Sequence, residues 1–190
     1  VFDESGEPAI EVVKGAAGLL CARGRGGPVA EAAAAAGAFL VEADDPLVAL
    51  GDLARAHRMR FAPLVVGVTG SNGKTTTKEL TALALESLGP VLATRGNFNN
   101  RIGVPLTLSR LEATHRAAVV EMGMSEPGEI AELCRMALPR LGIVTSVAEA
   151  HLGGLGSIEA IADEKASLLR ALPAEGVAVV PADEPLLVRR

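Results

Sequence analysis

The sequence contains no tryptophan, no tyrosine and only 4 phenylalanines among 190 residues. Because aromatic side chains that could stack on bases are so scarce, and no run of lysine or arginine forms a basic stripe, we do not expect a nucleic-acid partner. The net charge of −5 also disfavours an anionic membrane surface as a partner. No apolar stretch is long enough to span a bilayer. Any phosphate that the protein binds is therefore expected to be held by local groups.

Cysteine is scarce as well. The two cysteines, Cys21 and Cys134, lie in no spacing typical of a metal or redox site. This usage predicts reduced packing residues in a cytoplasmic protein. Apolar residues make up 49% of the chain, so the core is expected to be built from Ala, Val, Leu and Ile. The sequence begins at Val1 rather than Met and ends at Arg190 just after a strand-like run, which predicts a piece of a longer protein.

The spacing of apolar residues predicts strands that alternate with helices. Before residue 63 it predicts a strand at 9–13, a helix at 28–36, a strand at 38–41 and a helix at 46–60. After residue 63 it predicts strands at Leu64–Thr69, 91–94, 117–122, 141–147 and 177–181, and helices at 75–87, 128–137 and 157–172. The apolar segment 104–111 fits either structure. This alternation predicts an α/β fold, a mainly parallel sheet with helices on both faces, preceded by a small α/β remnant.

The segment 67–77 reads GVTGSNGKTTT and follows an apolar run, which predicts a strand, a tight turn and the start of a helix. Gly70 and Gly73 let the main chain approach an oxyanion, whose charge is met by the N–H groups at the helix start. Lys74 adds a positive charge, and the Thr75 hydroxyl is suitably placed for Mg²⁺. The strict spacing G-x-x-x-x-G-K-[ST] is not met, because Val68 stands five positions before Gly73. We interpret the segment as a variant phosphate loop, with a simple glycine-rich turn as the alternative.

Ligands of parallel sheets lie beyond the carboxyl ends of the strands, where the polar residues here are 69–75, Glu121 and 146–151. Glu121 ends a buried run and could complete a Mg²⁺ site, unless it is a solvated strand-end residue. His151 precedes a glycine-rich turn, and a lone histidine is more often structural than a ligand. Lys165 occupies an apolar position between Ile161 and Leu168 of its helix. Either its ammonium reaches solvent, or it is a partly buried amine with a lowered pKa.

Four segments together resemble the Mur ligase family: TGSNGKTTTKEL at 69–80, GNFNNRIGVPLTLSRL at 96–111, EMGMSEPGEIAEL at 121–133 and AHLGGLGSIEAIADEKASLL at 150–169. The resemblance is close over 63–190 and loose over 30–62. The Asn-rich run GNFNNRIGVPLTL at 96–108 points to the member that adds D-Ala-D-Ala to UDP-MurNAc-tripeptide. Folylpolyglutamate synthase and cyanophycin synthetase share the loop and the chemistry and are alternatives. A nucleotide-binding module without ligase activity is a further alternative from a different class.

The resemblance implies an ATP-dependent amide-bond ligase of peptidoglycan precursor synthesis that works through an acyl phosphate. Residues 1–62 would be the end of the domain that holds the nucleotide-sugar peptide substrate, and 63–190 an incomplete ATP-binding central domain. The C-terminal domain, which brings D-Ala-D-Ala, would be absent. A monomer is expected, without a nucleic-acid or membrane partner.

The resemblance also implies roles for individual residues. The residues implied in ATP binding are Thr69, Gly70, Ser71, Asn72, Gly73, Lys74, Thr75, Thr76, Asn97 and Asn100. Thr75 and Glu121 would hold one Mg²⁺, and His151 and Lys165 would serve a second. In this role Lys165 would be carbamylated by CO₂, which turns a cation into an anionic metal ligand. Lys74, His151 and Lys165 are thereby implied in catalysis.

Overall fold

The computed structural model describes residues 18–148 and 156–188 of the chain. The chain divides into two compact units, Val1–Leu50 and Gly51–Arg190, which are described one after the other. The predicted strand at 9–13 and the candidate ligand His151 lie outside the described residues. Within the described part, no helix is long and apolar enough to cross a membrane.

In residues 18–45, the described part of the first unit before helix Pro46–Arg58, the structure contains a strand, a helix and a second strand. Strand β1 (Gly18–Ala22) and strand β2 (Phe39–Ala43) pair in parallel, and helix α1 (Gly26–Ala35) connects them. The Glu42 carboxylate accepts hydrogen bonds from the N–H groups of Gly24 and Gly26, which satisfies donors at the start of α1. The predicted helix and second strand are confirmed, whereas β1 was not predicted.

Helix α2 (Pro46–Arg58) contains the boundary between the two units. The Asp45 carboxylate accepts hydrogen bonds from the N–H groups of Leu47 and Val48, at 2.8 and 3.2 Å, and so caps its start. The predicted helix at 46–60 is confirmed and ends two residues early.

The second unit is built on a five-stranded parallel sheet with the order β4-β5-β3-β6-β7. Its strands are β3 (Leu64–Thr69), β4 (Val91–Ala93), β5 (Ala117–Glu121), β6 (Leu141–Val144) and β7 (Val177–Val179). Every residue of β5 is buried, as is usual for an inner strand of a parallel sheet. All five strands were predicted, and the parallel sheet is confirmed.

Helices cover both faces of this sheet, as predicted. They are α3 (Lys74–Leu85), α4 (Gly103–Leu108), α5 (Glu129–Ala137), α6 (Ile158–Arg170) and the short α7 (Pro185–Val188). A 3₁₀ turn (Glu86–Leu88) extends α3. The ambiguous segment at 104–111 forms a helix, α4, and α7 was not predicted.

Side chains of the central strand alternate between two apolar clusters. Val66 and Val68 pack in the cluster that contains Ala82 of α3. Val65 packs in the larger cluster on the other face, which contains residues of α4, α5 and α6. Gly67 also faces α6, and a Cβ atom there would lie 2.7 Å from Leu168 Cδ1. The absence of a side chain at this position therefore lets α6 pack close to the sheet.

Strand β3 lies between β5 and β6, with Val68 opposite Glu121 and Thr69 opposite Val144. Because the three strands are parallel, their carboxyl ends meet at one edge of the sheet. The glycine-rich loop and Glu121 are brought together at this edge.

Candidate functional site

The glycine-rich loop has two glycines that no other residue could readily replace. Gly70 has φ +149°, and a Cβ atom on it would lie 1.9 Å from the Thr145 side-chain oxygen. Gly73, directly before α3, has φ +79°, in the left-handed region that favours glycine. The predicted need for glycine thus has two causes. Gly70 lies too close to the Thr145 side chain for a Cβ atom, and Gly73 has a left-handed backbone conformation.

The loop is fastened to the segment that follows β6. The Ser71 N–H donates to the Ser146 carbonyl, and the Ser71 hydroxyl donates to the Ala148 carbonyl, both at 3.0 Å. The Ser71 oxygen also accepts from the Ala148 N–H at 2.9 Å, and the Asn72 N–H donates to the Ser146 hydroxyl at 3.0 Å. Ser71 and Asn72 were expected to contact a ligand, and in the structure their hydrogen bonds hold the loop against the segment after β6.

The start of α3 suits an anion. The N–H groups in the first turn of a helix have no acceptor within the helix, and no acidic residue lies in the first turn of α3. The Lys74 ammonium donates to the Gly70 carbonyl at 2.8 Å, so it lies over the loop. Thr76 is exposed on the same turn. This arrangement offers backbone donors and one cation to a phosphate.

Glu121 is buried, with only 2% of its surface exposed, so the alternative of a solvated strand-end residue is wrong. Its Oε2 accepts a hydrogen bond from the Thr75 hydroxyl at 3.0 Å, and its Oε1 accepts from the Asn99 amide at 2.9 Å. Its backbone N–H donates to the Thr94 hydroxyl at 3.0 Å. The carboxylate is thus oriented from both sides.

The three asparagines of the Asn-rich run have different environments. Asn99 contacts Glu121, and its carbonyl accepts from the Gly123 N–H at 2.7 Å. Asn100 lines the cavity described next, and its side-chain oxygen accepts from the Gly103 N–H at the start of α4. Asn97 is exposed. Sequence reasoning named Asn97 and Asn100 and missed Asn99.

A cavity of about 270 Å³ opens at this edge of the sheet. Five of the predicted site residues line it: Thr69, Gly70, Lys74, Asn100 and Lys165. The lining residues that were not predicted are Asn99, Gly123, Met124, Ser125 and Glu129. Thr69 is 1% exposed, and its hydroxyl has no hydrogen-bond partner among the described residues. A buried donor of this kind is suited to a bound ligand.

Lys165 reaches this cavity from α6. It is 1% exposed and lies between the buried residues Ile161 and Leu168, so the predicted core position is confirmed and its ammonium does not extend into solvent. The ammonium lies 3.9 Å from the Met124 sulfur. The pKa of Lys165 is lowered to about 8, chiefly by burial and also by the positive charge of Lys74, while Glu164 opposes the shift.

Glu164, the residue before Lys165, is also buried. Its two oxygens accept hydrogen bonds from the N–H groups of Gly128 and Ile130, each at 2.8 Å. The carboxylate therefore caps the start of α5, where a negative charge is favourable. The sequence pattern alone did not indicate this role for Glu164.

The residues present fit the Mg²⁺ that the resemblance implies. In the part of the chain that the structure describes, no group of three or more His, Cys, Asp or Glu side chains could hold a metal. Thr75 and Glu121 instead supply two adjacent oxygens beside the phosphate loop. Mg²⁺ commonly takes one or two protein oxygens and completes its shell with water and phosphate.

Comparison with known proteins gives a family and close relatives. The family description "Mur ligase middle domain" matches residues 68–190. A UDP-N-acetylmuramoyl-tripeptide–D-alanyl-D-alanine ligase of Synechocystis sp. is 49% identical over 150 residues, which are 79% of this chain and 33% of that protein. A ligase of the same name from Bacillus subtilis is 46% identical over 144 residues, 76% of this chain and 32% of the relative. The chain thus spans about a third of the length of these curated relatives.

Solved structures agree with this result. MurF ligase from Thermotoga maritima in complex with ADP superposes with a TM-score of 0.82 at 31% identity, covering 91% of this chain and 44% of that one. MurF from Acinetobacter baumannii gives a TM-score of 0.81 at 31% identity, with 90% of this chain and 42% of that one covered.

Proposed function

This chain belongs to the Mur ligase family, and we propose that it is part of an ATP-dependent ligase that adds D-Ala-D-Ala to UDP-MurNAc-tripeptide in peptidoglycan synthesis. The name of the relatives at 46–49% identity supports this choice over the folylpolyglutamate and cyanophycin alternatives. In this proposal residues 63–190 belong to the ATP-binding central domain, and residues 1–62 are the end of the domain that holds the UDP-linked substrate. The enzyme would act as a monomer in the cytoplasm, which agrees with the free thiols of Cys21 and Cys134.

The observation that carries the proposal is the hydrogen bond from the Thr75 hydroxyl to the buried Glu121 carboxylate beside the phosphate loop. ATP would supply the phosphoryl group that activates the terminal carboxylate of the substrate, and the amine of D-Ala-D-Ala would then displace phosphate. Phosphoryl transfer needs little covalent help from the protein, but it needs its charge neutralised and its groups aligned. Lys74 and the backbone at 70–76 would bind the phosphates. Thr75 and Glu121 would hold Mg²⁺, with Asn99 orienting the carboxylate.

We extend the proposal to a second metal site made by His151 and Lys165. Three features support it: Lys165 is buried, it lines the same cavity as Lys74, and its ammonium lies next to a thioether rather than a carboxylate. Carbamylation joins the neutral amine to CO₂ and releases one proton. The product is an anion, so the repulsion between two cations would become an attraction between Lys74 and Lys165. A module that only binds nucleotide would have no need of this second site.

The experiment is the substitution Lys74→Ala in the full-length enzyme. Loss of a preorganised cation that faces developing charge costs about 3 kcal/mol, so we expect ATP turnover to fall by roughly a hundredfold or more. Arg110→Ala, which removes an exposed cation that does not line the cavity, is the matched control and should leave turnover unchanged. Near-normal turnover by the Lys74 variant would exclude the proposed role of the loop.

A further inference from the structure

A second lysine of α3, Lys78, is fully buried and is assigned no role by the reaction described above. Its ammonium donates to the Thr94 carbonyl at 2.7 Å. It also pairs with the Glu79 carboxylate at 2.6 Å, although the Glu79 side chain is 64% exposed. The buried positive charge is therefore compensated, as a buried charge must be to be tolerated.

Thr94 connects this lysine to the proposed metal ligands. It follows β4 and is itself buried, and its N–H donates to the Val119 carbonyl of β5 at 3.0 Å. Its hydroxyl accepts the hydrogen bond from the Glu121 N–H. The Lys78 ammonium therefore contacts the Thr94 carbonyl, and the Thr94 hydroxyl in turn contacts the backbone of Glu121.

The contacts close into a ring. Thr75 and Lys78 are three residues apart in α3, so they lie on the same side of the helix. Thr75 contacts the Glu121 carboxylate directly, and Lys78 reaches the Glu121 backbone through Thr94. The start of α3 is thereby attached to the end of β5 at two points rather than one.

We propose that Lys78 is a positioning residue: through Thr94 it fixes Glu121 relative to α3, so that the Thr75 hydroxyl and the Glu121 carboxylate stay at the separation that binds Mg²⁺. This inference rests on the proposed function, because it assumes that this pair holds the metal. Partners behind metal ligands commonly affect metal affinity by 10–100-fold when removed. A lysine that served only to fill the interface between α3 and the sheet would affect folding stability without a specific effect on the metal.

The test measures ADP binding to the full-length enzyme by calorimetry, with Mg²⁺ and with a chelator. Lys78→Met keeps an unbranched side chain of similar length and removes the ammonium. We expect it to reduce the gain in ADP affinity that Mg²⁺ provides by about tenfold or more. The affinity for metal-free ADP should stay within about twofold of the parent, because Lys74 and the loop are unchanged.

Thr94→Val provides a second variant that keeps the branched shape and removes the hydroxyl, and we expect the same selective loss. If Lys78→Met does not fold, Thr94→Val decides, because it leaves the buried ammonium and its partners in place. Thr107→Val is the matched control: its hydroxyl donates to the Gly103 carbonyl at 2.9 Å within α4, outside the ring. This control should keep the full gain from Mg²⁺.

Two results would overturn the inference while leaving the proposed function intact. One is a parent-like gain from Mg²⁺ in the variants that fold. The other is an equal loss of affinity with and without the metal, which would mean a general disturbance of the fold. A parent enzyme that gains no ADP affinity from Mg²⁺ would instead contradict the metal site itself, and the inference with it.

Discussion

Three lysines at or near the cavity have different surroundings, and these surroundings decide what each can do. Lys74 contacts a loop carbonyl, and Lys78 contacts a carbonyl and a carboxylate. Lys165 lies next to a thioether, and its pKa is lowered to about 8, chiefly by burial. At pH 7 a free lysine has about one neutral amine in two thousand, whereas a pKa of about 8 leaves about one in ten neutral. Only the neutral amine can react with CO₂.

If Lys165 acts as a carbamate, replacing it in the full-length enzyme should remove most activity. Lys165→Ala should lose at least about tenfold in turnover, since a metal ligand is lost. A small carboxylate that can fill the gap should restore part of the rate, whereas added bicarbonate should restore none. Turnover with and without the added carboxylate is the measurement.

Lys165→Arg is the informative companion, because a guanidinium keeps the positive charge but cannot become a carbamate. We expect it to be as inactive as the alanine variant. An active arginine enzyme would mean that the charge alone suffices, and the second metal site would have to be abandoned.

The sequence predicts buried positions better than loop contacts. Lys165 was identified because helical spacing places it between Ile161 and Leu168, which are both buried. The same signal existed for Lys78, four residues before the buried Ala82, but small and polar neighbours made it weak. Asn99 could not be separated from the other asparagines, because its position depends on a contact with Gly123, which is distant in sequence.

At the scale of the element, the start of α5 depends on Glu164. Replacing it with glutamine leaves one oxygen to accept from two N–H groups, so one buried donor loses its partner. We expect Glu164→Gln to destabilise the protein by roughly 1–3 kcal/mol. In a domain of this size the midpoint of thermal unfolding should fall by roughly 2 °C or more.

Circular dichroism during heating measures this effect. Glu159→Gln is the control, because Glu159 is exposed in the first turn of α6, and its replacement should change stability by no more than about 0.5 kcal/mol. Equal midpoints for the two variants would show that Glu164 does not stabilise α5 through its charge.

The bounds of a strand or helix were predicted best where an apolar run was followed directly by residues typical of a turn. Strand β3 was located to the residue because its apolar run is followed at once by the glycine-rich turn. The segment at 104–111 stayed ambiguous, since a short apolar run fits a buried strand or a helix. Asn100 caps α4, and a Cβ atom on Gly103 would lie 2.3 Å from the Phe98 backbone. These contacts join α4 to the turn before it, and they leave no signal in the spacing of apolar residues that would have indicated a helix.

At the scale of the whole molecule, the site described here is one part of a larger enzyme in our proposal. The 190-residue chain contains the phosphate loop, Glu121 and Lys165. The incoming amine and much of the UDP moiety would be bound by other domains. We therefore expect this chain alone to form no amide from UDP-MurNAc-tripeptide and D-Ala-D-Ala, and to bind ATP weakly at best.

Product formation, followed by chromatography with the full-length enzyme as the positive control, is the measurement. Amide formation by the 190-residue chain would contradict the assignment of its domains.

The fold of the second unit could be predicted from the sequence, because the alternation of strands and helices is a local property. Which domain would bind which substrate was predicted only from the resemblance to the Mur ligase family.

Ribosomal synthesis completes β3 and its loop before β5 and β6, the two strands that flank β3. The contacts that hold the loop, such as that between Ser71 and Ser146, join residues made far apart in time. Since a chain grows by about 5–20 residues per second, the loop spends several seconds without these partners. During that interval Gly70 has no Thr145 to pack against, and no cradle exists for a nucleotide. In our proposal, a nucleotide would therefore meet a complete phosphate loop only after β6 and the segment that follows it have been made.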